Sequence, residues 1–152
     1  MTVAYLACMV AVAQFHHLPP RVLPAIQAVE AGRPGVVSRN RNGSGDLGVM
    51  QVNSRWVPHL AASWRMPHAV VAERLIGDPC FNVAAAGAIM RIYLTEARGD
   101  VVRAVGYYHS HTPERASVYQ MKVIRASVSL FGWPKPVKAR GKAKVRKVRA
   151  PP

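Results

Sequence analysis

Acidic residues are scarce in this chain: seven Asp and Glu stand against 21 Lys and Arg in 152 residues, a formal net charge of +14. An acid in an apolar setting therefore stands out, and a surface so basic favours anionic partners. Long hydrophobic runs are also missing. No stretch reaches the roughly 18 apolar residues that would argue for a membrane span, although 50% of residues are hydrophobic, enough for a core. Cysteine is limited to Cys8 and Cys80, with no metal-ligand spacing and no C-x-x-C. The pair is either a disulfide, which implies an oxidising compartment, or two buried thiols. No phosphate-loop lysine pattern or G-x-S-x-G elbow occurs, so nucleotide and serine-hydrolase chemistries fall away. His16, His17, His59, His68, His109 and His111 include two close pairs, but no third ligand has a defined spacing, so no metal centre is expected.

The length suits one domain. The apolar segment 3–13, VAYLACMVAVA, has about the length of a signal-peptide core. Met1 and Thr2 bring no basic residue, so it reads as a first helix over 3–17. Pro19 and Pro20 break that helix, and a second over 21–31 stops at Gly32 and Pro34. Residues 35–52 hold Asn42-Gly43 and Gly45, the signature of a small hairpin. Asn53-Ser54 then caps a short helical turn ending near Pro58. Further helices are expected over 67–76, 80–97 and 99–108, the second restarted by Asp78-Pro79. Gly87 in that helix marks a close crossing or has no role at all. Thr112-Pro113 opens a last helix whose apolar face carries Val118, Tyr119, Val123, Ala126 and Leu130. The expected fold is α+β and mainly helical, a body over 3–133 with a small β hairpin lobe. Residues 134–152 form a basic Pro/Lys/Arg-rich tail that reads as disordered. From Lys135 to Arg149 it carries eight basic residues and no acid, leaving +6 on the rest. The tail would adhere to polyanions, or serve only for solubility.

Glu30 is the candidate acid. On a helix it shares a stripe with Val22 and Ile26, because positions four apart stack on one face. Partial burial there, at a helix C-terminus, penalises the anion and holds the proton. The alternative is an exposed helix-end glutamate. Asp46, beside the glycine-rich turn, is either an ordinary turn residue or a carboxylate facing Glu30 across a cleft. A proton-holding glutamate near a polar, aspartate-bearing hairpin is an arrangement that cuts glycosidic bonds. Gln51 and Asn53 alternate about Val52 and offer amides to hydroxyl or N-acetyl groups. Tyr107, Tyr108, His109, Ser110 and His111 form another polar-aromatic cluster. There Tyr108 is either a donor to the carboxyl or substrate, or a core tyrosine with its hydroxyl at the rim.

The segments AIQAVEAG around Glu30, SRNRNGSGDLGVMQVNSRW, DPCFN, AVGYYHS and Tyr119 to Val123 occur in an order that resembles the lytic transglycosylases of the soluble-transglycosylase type. Within these, the chain is most similar to the small peptidoglycan-cleaving proteins of secretion and conjugation systems. The resemblance runs over roughly residues 5 to 130. It implies a lysozyme-like fold, Glu30 as acid and base, and Tyr108 near that carboxyl. It places Ser38, Met50, Gln51 and Asn53 along a glycan cleft and pairs Cys8 with Cys80 in a disulfide. His109 stands where many members carry asparagine, and Ala31 where serine is usual. NGSGDLGVMQVNSRW also resembles animal C-type lysozymes, in which the aspartate at the Asp46 position is catalytic. The resemblance further implies a periplasmic or secreted monomer that cleaves peptidoglycan without metal or organic cofactor, beside a secretion, pilus or conjugation apparatus. The tail would touch anionic wall polymer. A muramidase using Glu30 and Asp46, and a non-catalytic basic protein binding wall or nucleic acid, are the alternatives.

Overall fold

The computed structural model describes residues 3–135, so the expected tail lies outside them except for Pro134 and Lys135. Helices α1 (Leu6–Phe15) and α2 (Val22–Glu30) lead into strands β1 (Val37–Arg39), β2 (Gly45–Leu47) and β3 (Val52–Asn53). A 3-10 turn (Ser54–Trp56) and helices α3 (Val57–Trp64), α4 (His68–Gly77), α5 (Pro79–Glu96), α6 (Val101–His109) and α7 (Pro113–Phe131) follow. The fold is the mainly helical α+β arrangement with a small β lobe that a lysozyme-like fold has. Among the described residues no single helix is long and apolar enough to cross a membrane.

The helix boundaries follow local chemistry. Asp78 accepts from the Phe81 amide at 3.0 Å, and Pro79 opens α5, where its missing N–H costs nothing. Asp100 caps α6 through the Arg103 amide at 3.0 Å. At the end of α2, Ala31 turns left-handed (φ 50°) and its amide bonds the Gln27 carbonyl. The chain thus leaves the helix immediately after Glu30. Pro58 does not end a helix as expected; it lies in the first turn of α3, a position that tolerates proline.

Helix α5 runs through the centre. It packs against α1, α4 and α6, while α7 lies across α2 and α6. Gly87 marks a close crossing: a Cβ there would collide with the Val12 side chain of α1. Cys8 and Cys80 form a disulfide between α1 and the start of α5, their Cα atoms 5.5 Å apart. The apolar N-terminal segment is therefore a working helix of this fold, with Met9 and Ala13 buried. Leu23, Ile26, Met50, Leu75, Val83 and Met90 fill the core, and each such side chain contributes about 1.5–3 kcal/mol when fully buried. One expected core position differs. Val118 on α7 is 59% exposed, because its neighbour Tyr119 takes the inward place.

The β lobe is a three-stranded antiparallel sheet in the order β1-β2-β3, one strand more than the expected hairpin. Its turn has Gly43 at φ 83°, the left-handed geometry that Asn-Gly supplies. Register places Ser38 opposite Asp46 and Asp46 opposite Asn53. Directly opposed residues share a face, so these three polar side chains form one row across the sheet. Asn82 of α5 joins the lobe to the helices. It is fully buried, accepts from the Met50 amide at 2.8 Å, and donates to the carbonyls of Leu47 and Leu75 at 2.7 Å each. Gly48 (φ 66°) has to be glycine, since a Cβ would run into the Leu75 carbonyl and the Asn82 amide.

Candidate active site

Between the β lobe and the ends of α2, α5, α6 and α7 lies a cleft of ≈ 680 Å³. That volume falls in the range of ligand sites, about 300–1,000 Å³. Glu30 projects into it from the last residue of α2, with Val22 and Ile26 buried behind it on the same stripe. Tyr119 of α7 donates its hydroxyl to Glu30 Oε1 at 2.5 Å. Burial is the main force raising the Glu30 pKa above its ordinary value of 4.5, and the nearby charge of Asp46 adds to it. The Tyr119 hydrogen bond and Lys122 pull the other way without reversing the shift. The carboxyl therefore keeps its proton to higher pH than an exposed glutamate. Burial and the Glu30 charge also push both Tyr119 and Tyr108 well above the usual phenol range. Both phenols thus remain donors throughout the working pH range.

The expected site residues fall into three groups. Glu30, Asp46, Gln51, Asn53, Tyr108 and His109 come together around the cleft. Ser38 stands outside this lining, and its hydroxyl donates to Gln51 Oε1 at 2.7 Å. The Gln51 amide in turn donates to the Gly48 carbonyl at 2.8 Å. Ser38 thus braces Gln51, and Gln51 braces the loop while it faces the cleft. The third group is Met50 alone. Its side chain is completely buried, so it cannot line a glycan path, and only its backbone serves the site.

Tyr108 holds its expected place near the carboxyl but not the role of donor to it. It is close enough to feel the Glu30 charge, but its hydroxyl donates to the Met50 carbonyl at 2.9 Å. The phenol bonded to the carboxyl is Tyr119. Its position on the apolar face of α7 is legible in the sequence; its partner, 89 residues earlier, is not. The available signal is a pairing of needs, a buried phenol lacking an acceptor and a buried acid lacking a donor.

Asp46 is held by two amides. Asn53 donates to Oδ1 at 2.8 Å and Asn40 to Oδ2 at 3.0 Å. Both asparagines also donate to Ser44 Oγ, at 3.1 Å each. This network gives Asp46 a structural task in the β lobe as well as a place in the cleft. Sequence reasoning missed Asn40, and of the aromatic wall opposite it named Tyr107 and His111 but missed Trp56 and Tyr93. In that wall Tyr93 meets Trp56 edge-on with ring centroids 5.9 Å apart, and Tyr107 stacks on His111 at 4.2 Å.

The two histidines of His109-x-His111 point to different tasks. His109 stacks flat on Tyr119, with centroids 4.8 Å apart and planes 6° from parallel. Burial, followed by Lys122 and Arg115, lowers its pKa against an upward pull from Asp46. His111 pairs with Glu96 at 2.9 Å. Among the described residues no group of three or more His, Cys, Asp or Glu converges as a metal site would require.

Taken together, the site offers a half-buried carboxyl with a raised pKa, a fixed phenol donor, a second carboxyl group in an amide cradle, and an aromatic wall. A family profile described as the transglycosylase SLT domain matches residues 7–117. The chain is 32% identical over 121 residues to the "Invasion protein IagB" of Salmonella typhimurium, strains SL1344 and LT2, and of Salmonella typhi. The match covers 76% of this chain and 69% of the relative.

Proposed function

The chain belongs to the transglycosylase SLT domain family, and from that membership we propose that it is an enzyme that cleaves the β-1,4 bond between N-acetylmuramic acid and N-acetylglucosamine in peptidoglycan. The supporting observation is Glu30, half-buried in the cleft, bonded to Tyr119 and held above the ordinary glutamate pKa. In the first step Glu30 passes its proton to the glycosidic oxygen as the bond to the muramoyl C1 breaks. The substrate's own acetamido group stabilises the cationic centre. In the second step the 6-hydroxyl of the same sugar attacks C1 and returns its proton to the Glu30 carboxylate. The product is a 1,6-anhydro end, and the enzyme regains its starting protonation state. Tyr119 favours the transient anion by hydrogen bonding, and Tyr108 fixes the Gly48–Gln51 loop through the Met50 carbonyl.

A second reading is hydrolysis, with Asp46 supporting the cation opposite Glu30 and water as acceptor. Its support is that Asp46 lines the same cleft and its charge reaches Glu30. Against it, both Asp46 oxygens are engaged in the amide network of the β lobe. A third, non-enzymatic reading is a basic protein that only binds wall or nucleic acid. Mass spectrometry of muropeptides released from purified peptidoglycan separates the three. Anhydro ends that persist in Asp46→Asn and vanish in Glu30→Gln support the transglycosylase. Reducing ends, or loss of cleavage in Asp46→Asn while its fold is intact, support the muramidase. No released fragments from the wild-type protein would leave the binding reading.

The wider role we propose is local opening of the wall for a secretion, pilus or conjugation apparatus, by a monomer working in the periplasm or outside the cell. The family and the relatedness to a protein named for invasion support this. The domain at work would span 3–133, with 134–152 as an appended basic segment.

A further inference from the structure

Three guanidinium groups stand around the cleft, and none is used by the chemistry above. Arg41 lies in the β1–β2 turn, Arg55 in the 3-10 turn after β3, and Arg115 in the first turn of α7. Arg115 is one helical turn from Tyr119, so it stands on the face that holds Glu30. Arg55 follows Asn53, whose amide carries Asp46. The cations therefore approach from both walls. All three are exposed, and among the described residues none forms an ion pair. Against these three cations the lining sets only two acids, Glu30 and Asp46. Lys122 adds to the field, since its charge reaches both Glu30 and His109.

A neutral sugar chain does not call for such a setting; it needs amides, hydroxyls and rings, which the cleft also has. We infer that Arg41, Arg55 and Arg115 form a subsite for carboxylates carried by the glycan strand, so that the cleft selects acid-substituted strands over neutral ones of the same backbone. This rests on the cleft being a glycan site. The shared ligand chemistry is a carboxylate hung from the muramoyl 3-position. It comes either from the free lactyl group of a strand stripped of peptide or from the acidic residues of an attached stem. Guanidinium suits both, because it binds carboxylate through two parallel hydrogen bonds and remains charged at every working pH.

The test measures binding to full-length Glu30→Gln, which leaves the strands uncut. Three ligands of equal length serve: a neutral N-acetylglucosamine oligomer, a peptide-stripped glycan strand, and a stem-bearing strand. The carboxylate-bearing strands are expected to bind more tightly than the neutral oligomer, with affinity falling as salt rises. Adding Arg41→Gln, Arg55→Gln and Arg115→Gln together should weaken their binding about tenfold and flatten the salt dependence, since three exposed pairs are lost. Binding of the neutral oligomer should not change. If the peptide-stripped strand is favoured, the lactyl carboxylate is the ligand; if the stem-bearing strand is favoured, the peptide supplies it; if the two bind alike, the subsite takes either carboxylate. Equal binding of all three ligands, or an equal loss for all three in the triple variant, overturns the subsite. Failure to bind any of them overturns both the subsite and the glycan reading of the cleft.

Discussion

At the scale of single residues, the site depends on how Glu30 and Tyr119 share one proton environment. Tyr119→Phe removes the donor that favours the Glu30 anion. The Glu30 pKa should therefore rise further, and the pH at which cleavage fades should move upward even as the maximal rate drops. A pH–rate profile that keeps its alkaline limb in place would show that the hydrogen bond does not act on the carboxyl. Glu30→Gln should lower cleavage by roughly 10²–10⁴-fold, the usual worth of a general acid. It should also affect stability with a definite sign. A carboxyl whose folded pKa is raised contributes fully below its unfolded value and loses that contribution as pH rises through the folded one. The glutamine variant should match the wild type in acid and exceed it at neutral pH, as thermal melts across pH would show. Glu30 was legible in the sequence because a carboxyl on a Val-Ile stripe is costly to bury, and a fold built for stability alone would place an apolar residue there. Tyr119 was visible as an apolar-face residue and as part of a segment that carries the family resemblance, but its bond to Glu30 was not, since that chain-distant contact leaves no local pattern. Met50 misled for a related reason: the loop around it serves the cleft while its side chain fills the core.

Among the elements, helices announced themselves and the small sheet did so only in part. Asp78-Pro79 and Thr112-Pro113 start α5 and α7 through local capping and fixed backbone angles, which sequence displays directly. Strand β3 is two residues long and is held by pairing with β2, so no periodicity could reveal it. Pro58 reads as a stop in the sequence, although the same residue suits a helix start; only the preceding 3-10 turn decides between them. The joint between lobes rests on Asn82. Asn82→Ala would leave the Met50 amide and the Leu47 and Leu75 carbonyls without their partner, at a cost of about 1–3 kcal/mol for a buried group left unsatisfied. Chemical denaturation should show a loss of that size or more, with the β lobe the first region to lose hydrogen-exchange protection. Unchanged protection in residues 45–53 would mean that the lobe holds itself together without α5.

For the molecule as a whole, the Cys8–Cys80 disulfide closes a separation of 72 residues and ties the first helix to the central one. Chain-entropy reasoning gives roughly 4 kcal/mol for a loop of that length. Reduction should lower the melting temperature markedly, and a Cys8→Ala/Cys80→Ala double variant should reproduce the loss. Melting at the same temperature with and without reductant would mean that the disulfide does not stabilise the fold. The sequence could place the two cysteines and not their pairing, which came from resemblance alone and is now seen directly. The eight cations of residues 135–149 lie beyond the described residues except for Lys135. Deleting 135–152 should weaken attachment to anionic wall at low salt and matter less at high salt. Equal retention by both forms at low salt would deny the segment that role.

The proposed glycan cleavage sets one physical requirement on the helices, the β lobe and the covalent tie: a proton kept on Glu30 beside the sugar. Carbon-13 NMR titration of the Glu30 side-chain carboxyl in the folded protein measures this directly. The account predicts an ionisation clearly above the ordinary value of 4.5, falling back toward it when the protein is unfolded. A midpoint at or below that value in the folded protein would contradict it.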